Sequence, residues 1–141
     1  MSSSLYAKGN PIYVDTTTDL SAAIGKLVTF SSGTPTVSSS ATVPATGLVL
    51  DARTKTVGSS TTYMNSIAML ASIPAPVRVL LSASSAALSF GDQLMQAADG
   101  TVTKNVTGSA RCVVGVCTDE NGAQPGDLFE AVLCDPSYVS F

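Results

Sequence analysis

The chain has no histidine and no tryptophan, and only 12% of its 141 residues are charged. Each shortage excludes something. Histidine is the commonest general base and metal ligand, so Ser-His-Asp and Cys-His mechanisms are closed to this sequence. Sugar-binding sites stack their ligand on aromatic rings, and here there is no Trp and only four Tyr and four Phe. The charge fraction is about half the usual value near 25%. Seven basic residues against ten acidic ones give a net charge of −3. The basic residues are scattered, with Arg53 and Lys55 the nearest thing to a cluster. Phosphate binding by counterion release needs a basic patch, so no nucleic-acid partner is expected.

Cysteine is also sparse. Cys112, Cys117 and Cys134 are separated by four and then sixteen residues, which matches no common zinc spacing. An odd count argues against a disulfide framework. Cys112 and Cys117 fall in the apolar run CVVGVC and read as small buried hydrophobes, consistent with synthesis in a reducing cytoplasm. No long apolar run survives either, because residues 66–90 are broken by Pro74, Pro76 and Arg78. No membrane span or membrane partner is expected. The N-terminal MSSSLYAKGNPIYV lacks a basic segment followed by an apolar one, and so does not read as a signal peptide.

What fills the gap is Ser and Thr, about a quarter of the chain, with Gly and Pro in the turns. These residues weaken helix interiors and suit strands and turns. Strand signals recur at KLVTF (26–30), TGLVLDA (46–52), APVRVLLS (75–82), DQLMQA (92–97), GTVTK (100–104), ARCVVGVCT (110–118) and DLFEAVLC (127–134). Turn residues separate most of them at the spacing of an all-β sandwich or barrel. In APVRVLLS, alternation puts Val77, Val79 and Leu81 on one face. Asp99-Gly100 reads as a hairpin turn, since Gly supplies the positive φ. YMNSIAMLASI (63–73) alternates as a strand would, although a short helix fits its middle. TKTVGSSTT (54–62) reads as a flexible loop.

The sequence therefore predicts an all-β fold, a compact β-barrel or β-sandwich with an extended N-terminal arm. Residues 20–141 form one domain. A weak internal echo relates 24–52 to 90–120: in each, an apolar residue and Gly precede a short strand, a turn, and then Gly-apolar-x-x-Asp. Two similar hairpin units are one reading of it; chance is the other. Residues 1–19 stand apart. Among their turn residues sit Leu5, Tyr6, Ile12, Tyr13 and Val14, more apolar surface than a solvated tail would use. They form either the first strand of the domain or an arm that orders on a partner by adding to a sheet edge. On the second reading, these five residues are the candidate binding residues.

No catalytic constellation appears. The ten carboxylates fall mostly at strand ends and turns, where Asp serves the backbone. DENG (119–122) lacks the acidic alternation of a calcium loop and reads as a turn. No phosphate loop is present. No enzyme activity, cofactor or metal is expected, and function is assigned to surfaces.

The second half of the chain resembles a family. Pro76, Val77 and Val79 are followed by Gly91, Asp92 and Leu94. Asp99-Gly100, then Val114-Gly115, and finally Gly126, Asp127 and Val132 complete the series. This order is similar to that of the capsid decoration proteins of tailed bacteriophages, also called head-stabilising or cement proteins. The first half fits more loosely, through AIGKLVTF and TGLVLDA. The cysteines and the Ser/Thr-rich stretch 54–62 depart from the pattern. The resemblance implies a virion protein, made in the host cytoplasm, that binds the outer surface of the assembled head. Its partners would be the major capsid protein and further copies of itself. The competing readings are a carbohydrate- or host-surface-binding β module and another phage component, of the tail or head-completion type.

Overall fold

The computed structural model describes residues 11–72 and 76–140. The fold is all-β, as the composition demands: two curled antiparallel sheets form a half-barrel. The strands are β1 (Pro11–Thr16), β2 (Leu27–Ser31), β3 (Thr34–Val37), β4 (Gly47–Val57), β5 (Ser60–Met69), β6 (Pro76–Leu80), β7 (Gln93–Gln96), β8 (Val102–Lys104), β9 (Arg111–Cys117) and β10 (Leu128–Val139). Short 3-10 turns at Ser21–Ala23 and Leu70–Ser72 interrupt them.

The first sheet has the order β1-β5-β4-β2-β3 and the second β6-β10-β9-β7-β8. Adding five to each label of the first gives the second, so the chain builds the same sheet twice. The correspondence reaches single hydrogen bonds. Gly25 N–H donates to Val49 O at 2.9 Å and Gly91 N–H to Cys117 O at 2.8 Å. The return bonds, Val49 N–H to Lys26 O and Cys117 N–H to Asp92 O, are 3.0 and 2.8 Å. Val28 faces Gly47 in one sheet as Leu94 faces Gly115 in the other. The two echo stretches, 24–52 and 90–120, thus hold matching places. The match also extends to β1 and β6, which share Pro-apolar-x-Val at 11–14 and 76–79. Pro11 pairs with Ala68 on β5 as Pro76 pairs with Val132 on β10.

The two copies bury different surfaces. The second sheet turns one face inward, with Val79, Leu94, Val114, Phe129, Ala131 and Leu133 in the main core. Its edge strands approach each other at a bridge between Leu81 and Val102, with Ser82 N–H donating to Val102 O at 2.8 Å. The first sheet is buried on both faces only around β2 and the adjoining ends of β4 and β5. Leu27, Leu48 and Ala68 join the main core, while Val28, Val49 and Ile67 form a second cluster with Leu20 and Ala23. A polar clamp ties the halves together. The buried amide of Gln96 accepts from Ala45 N–H at 2.8 Å and donates to Val43 O and Ser40 O at 2.9 and 3.1 Å. It thereby satisfies backbone groups that the 38–46 connection would otherwise leave unpaired inside.

Two elements differ from the sequence reading. TKTVGSSTT (54–62) is no flexible loop but the tip of a long hairpin: β4 and β5 pair from Gly47↔Met69 out to Val57↔Ser60, turning at Gly58. Its residues are exposed on both faces, so no apolar alternation announced it. Thr34–Val37, which none of the strand signals covered, is the edge strand β3. The 63–73 segment is strand to Met69 and a 3-10 turn after it, as far as Ser72. Of the two readings of residues 1–19, Pro11–Thr16 takes the intrachain one, pairing with β5 along its whole length.

Candidate interaction site on the first sheet

Because β1 alternates, the candidate binding residues divide. Tyr13 lies 64% exposed on one face, whereas Val14 turns to the other and packs on the second cluster. Ile12 is exposed beside it at the sheet edge. Leu5 and Tyr6 lie outside the described residues. Val14 thus contributes to packing, and Tyr13 is the residue of the described three that offers the largest surface.

Around Tyr13 the register assembles what the sequence did not suggest. Tyr13 pairs with Ser66, Ser66 with Asp51, and Arg53 with Met64. These five residues line a shallow groove of about 320 Å³. Arg53 Nε donates to Asp51 Oδ2 at 3.0 Å. Both side chains are largely exposed, so the pair contributes little to stability but presents a fixed dipole beside the ring. Met64, a flexible apolar side chain, is exposed in the same patch. The one signal in the sequence was that Asp51 and Arg53 follow an apolar run at alternate positions, which a continuing strand would place on one face.

Two further grooves lie on the second half. Phe90, 66% exposed, adjoins Thr118, Asp119, Glu120, Asn121 and Glu130 around about 360 Å³. DENG within it is a turn, as its spacing suggested: Asn121 N–H donates to Asp119 Oδ1 and Gly122 N–H to Asp119 O. A smaller groove of about 220 Å³ is lined mainly by Met95, Lys104, Val106 and Ser84–Ala86.

The titratable groups are tuned for structure. Burial pushes all three thiols above their ordinary pKa, which keeps them protonated and poorly nucleophilic. No group of three His, Cys, Asp or Glu among the described residues is arranged to hold a metal ion. No helix among them is long and apolar enough to cross a membrane.

Asp92 is held below the ordinary carboxylate pKa, first by the Ser89 N–H at 2.8 Å and then by Lys104, whose Nζ lies 3.2 Å away. Asp19 is lowered by the Ser21 side chain and N–H. A depressed folded pKa adds stability above the unfolded value and loses it as pH falls through the folded one. Stability should therefore hold from neutral pH to about 5 and decline below about 4. In urea titrations across this range, Asp92→Asn should flatten part of that acid decline. An unchanged acid limb would show that the Ser89–Asp92–Lys104 contacts do not stabilise the fold.

No protein-family model, curated protein or solved structure matches this chain.

Proposed function

We propose that the chain is a structural virion protein that binds the outer surface of an assembled phage head and stabilises contacts between major capsid subunits. The observation that carries the proposal is where the decoration-protein motifs fall. In order, they occupy β6, the start of β7, the β7–β8 hairpin, β9 and the entry to β10, which is one complete copy of the duplicated sheet. The likeness therefore follows a folding unit rather than scattered strands. The surfaces support the same reading. They offer shallow grooves and exposed apolar side chains, among them Tyr13, Met64, Phe90 and Tyr138. Aromatic residues of this kind anchor protein–protein contacts. Many modest contacts, repeated over a shell, add through effective concentration, and preference for the assembled shell stabilises it by mass action.

The test is co-sedimentation with heads of the phage that encodes the chain. The expected result is a fixed ratio to the major capsid protein on assembled heads and no binding to unassembled subunits. A double change, Tyr13→Ser with Met64→Ser, should weaken binding by about tenfold or more while the fold persists. A chain that ignores heads but is captured by a glycan array is a host-surface module instead.

A further inference from the structure

The duplicated sheets share the main core and are joined by a segment of the first that bonds to the edge of the second. Residues Gly25–Leu27, at the start of β2, run into the gap between the edge strands of the second sheet. Leu80 N–H on β6 donates to Gly25 O at 2.9 Å, and Leu27 N–H donates to Gly100 O, at the β7–β8 turn, at 2.7 Å. The fit is close at both ends: a Cβ on Gly25 would fall 2.5 Å from Leu128 Cδ2, and one on Gly100 2.5 Å from Val37 Cγ1. Leu27, fully buried, enters the main core from this segment. The first copy thus supplies a key, and the second copy supplies the slot.

Each copy, however, contains both parts. The counterpart of the key is Gly91–Gln93, preceded by the exposed Phe90. Gly91 has φ +91°, as Gly25 has +86°, but nothing lies within 4 Å of a Cβ there. Gln93 is exposed where its counterpart Leu27 is buried, and Phe90, the counterpart of the exposed Ile24, is 66% exposed. The counterpart slot lies between β1 and β3, with Asp15 in the place of Leu80 and Gly33 in the place of Gly100. Among the described residues no backbone hydrogen bond spans it, neither one like the Ser82–Val102 closure nor one like the Leu80–Gly25 bond. Val14 on β1, Phe30 on β2 and Val37 on β3 pack against the second cluster and are only partly buried. Among the described residues, one key and one slot engage each other, and the second key and second slot make no such contact.

We infer that the second slot, between β1 and β3, receives the Phe90–Gln93 segment of a second copy of this chain, repeating the contact the two halves already make. The pattern for the occupant is the intrachain interface itself, which specifies an extended segment entered through a glycine with positive φ. Such a contact is heterologous: each copy gives one surface and accepts with another, so the assembly closes into a ring or extends. Backbone bonds at the β1 edge supply affinity, as in strand addition.

Sedimentation equilibrium and light scattering on the free protein test this without any capsid, so the result stands apart from the decoration reading. The wild type should self-associate as concentration rises to about 1 mM. Phe90→Glu removes the key at an exposed side chain. Asp15→Pro removes the N–H that corresponds to Leu80's, at an edge where proline is tolerated, while Asp15→Ala keeps it. Each of the first two should weaken association about tenfold or more, and Asp15→Ala should not. A mixture of Phe90→Glu and Asp15→Pro chains has one good slot and one good key in all, and should stop at a dimer. If Asp15→Pro does not fold, Phe90→Glu alone decides. A chain that remains monomeric overturns the inference, whether residues 1–10 fill its own slot or only the head does so. Association that Phe90→Glu leaves unchanged overturns it equally.

Discussion

Gly115→Ala is expected to remove most or all of the protein's stability, at a cost of more than about 3 kcal/mol. A Cβ at this position would lie 2.2 Å from Val132 O and 3.0 Å from Leu133 Cα, and both of those atoms are backbone. Neither neighbour can retreat. Strand β9 is hydrogen-bonded on one side to β10, where Gly115 faces Leu133, and on the other to β7, where it faces Leu94. Relief would require breaking a ladder in the middle of the second sheet. The matching glycine of the first sheet is the internal control. A Cβ on Gly47 would be closest to Ile67 Cγ2, at 2.6 Å, a side-chain atom, and its nearest backbone atom, Ala68 O, would be 3.2 Å away instead of 2.2 Å. Gly47→Ala should therefore be the milder change of the pair. Chemical denaturation of both variants measures the difference, and a Gly115→Ala protein within 1 kcal/mol of wild type would show that the two ladders separate more readily than this register implies.

Phe129→Ala should cost about 3–5 kcal/mol, with the denaturant slope unchanged. Phe129 is 1% exposed and among the largest side chains of the main core. It faces Val79 on β6 from the centre of the second half, and close-packed neighbours would not collapse fully into the space it leaves. The matching position of the first half, facing Val14 on β1, is Asn65. Asn65 is equally buried, yet its Oδ1 has no hydrogen-bond partner among the described residues, and its Nδ2 reaches Thr16 Oγ1 and Thr18 O only at 3.4 Å. An orphaned buried acceptor costs about 1–3 kcal/mol. One half thus spends its central position on an aromatic and the other on an under-satisfied amide. The first half, with its polar centre, is the part that should open first. A cost for Phe129→Ala below about 1.5 kcal/mol would place the stability of the fold elsewhere.

Much of this architecture was legible in the residues. The β-branched and Gly-punctuated runs from KLVTF to DLFEAVLC became strands because alternation marks a half-buried strand directly. Asp99-Gly100 turns the β7–β8 hairpin, with Gly100 at φ +85°. Leu94 is buried, and Cys112 and Cys117 are buried thiols. The hairpin 54–62 was not legible, because a strand exposed on both faces carries no apolar period. The role of β1 was only half legible: PIYV had strand chemistry, but its kinship to PVRV, 65 residues on, shows only when both are seen at the same edge of matching sheets. Of the Tyr13 groove only fragments were legible, Tyr13 itself and the alternation of Asp51 and Arg53, since its residues come from three strands and meet only through the pairing register.

By itself, the sequence determined the class of the fold, the places of most turns, and the absence of histidine chemistry. It did so because backbone preference and hydrophobic period are local properties of each segment. Only the tertiary structure decided that the chain is one sheet made twice, that the first copy plugs the gap of the second, and that no backbone hydrogen bond among the described residues closes the first sheet in the same way. Those facts depend on which strand edges meet and which faces are covered. That is set by hydrogen bonds such as Leu80 to Gly25 and Leu27 to Gly100, formed between residues far apart in the chain. The run that begins at Phe90-Gly91 is therefore the repeat of Ile24-Gly25, but among the described residues nothing lies within 4 Å of a Cβ at Gly91, where Gly25 is tightly packed.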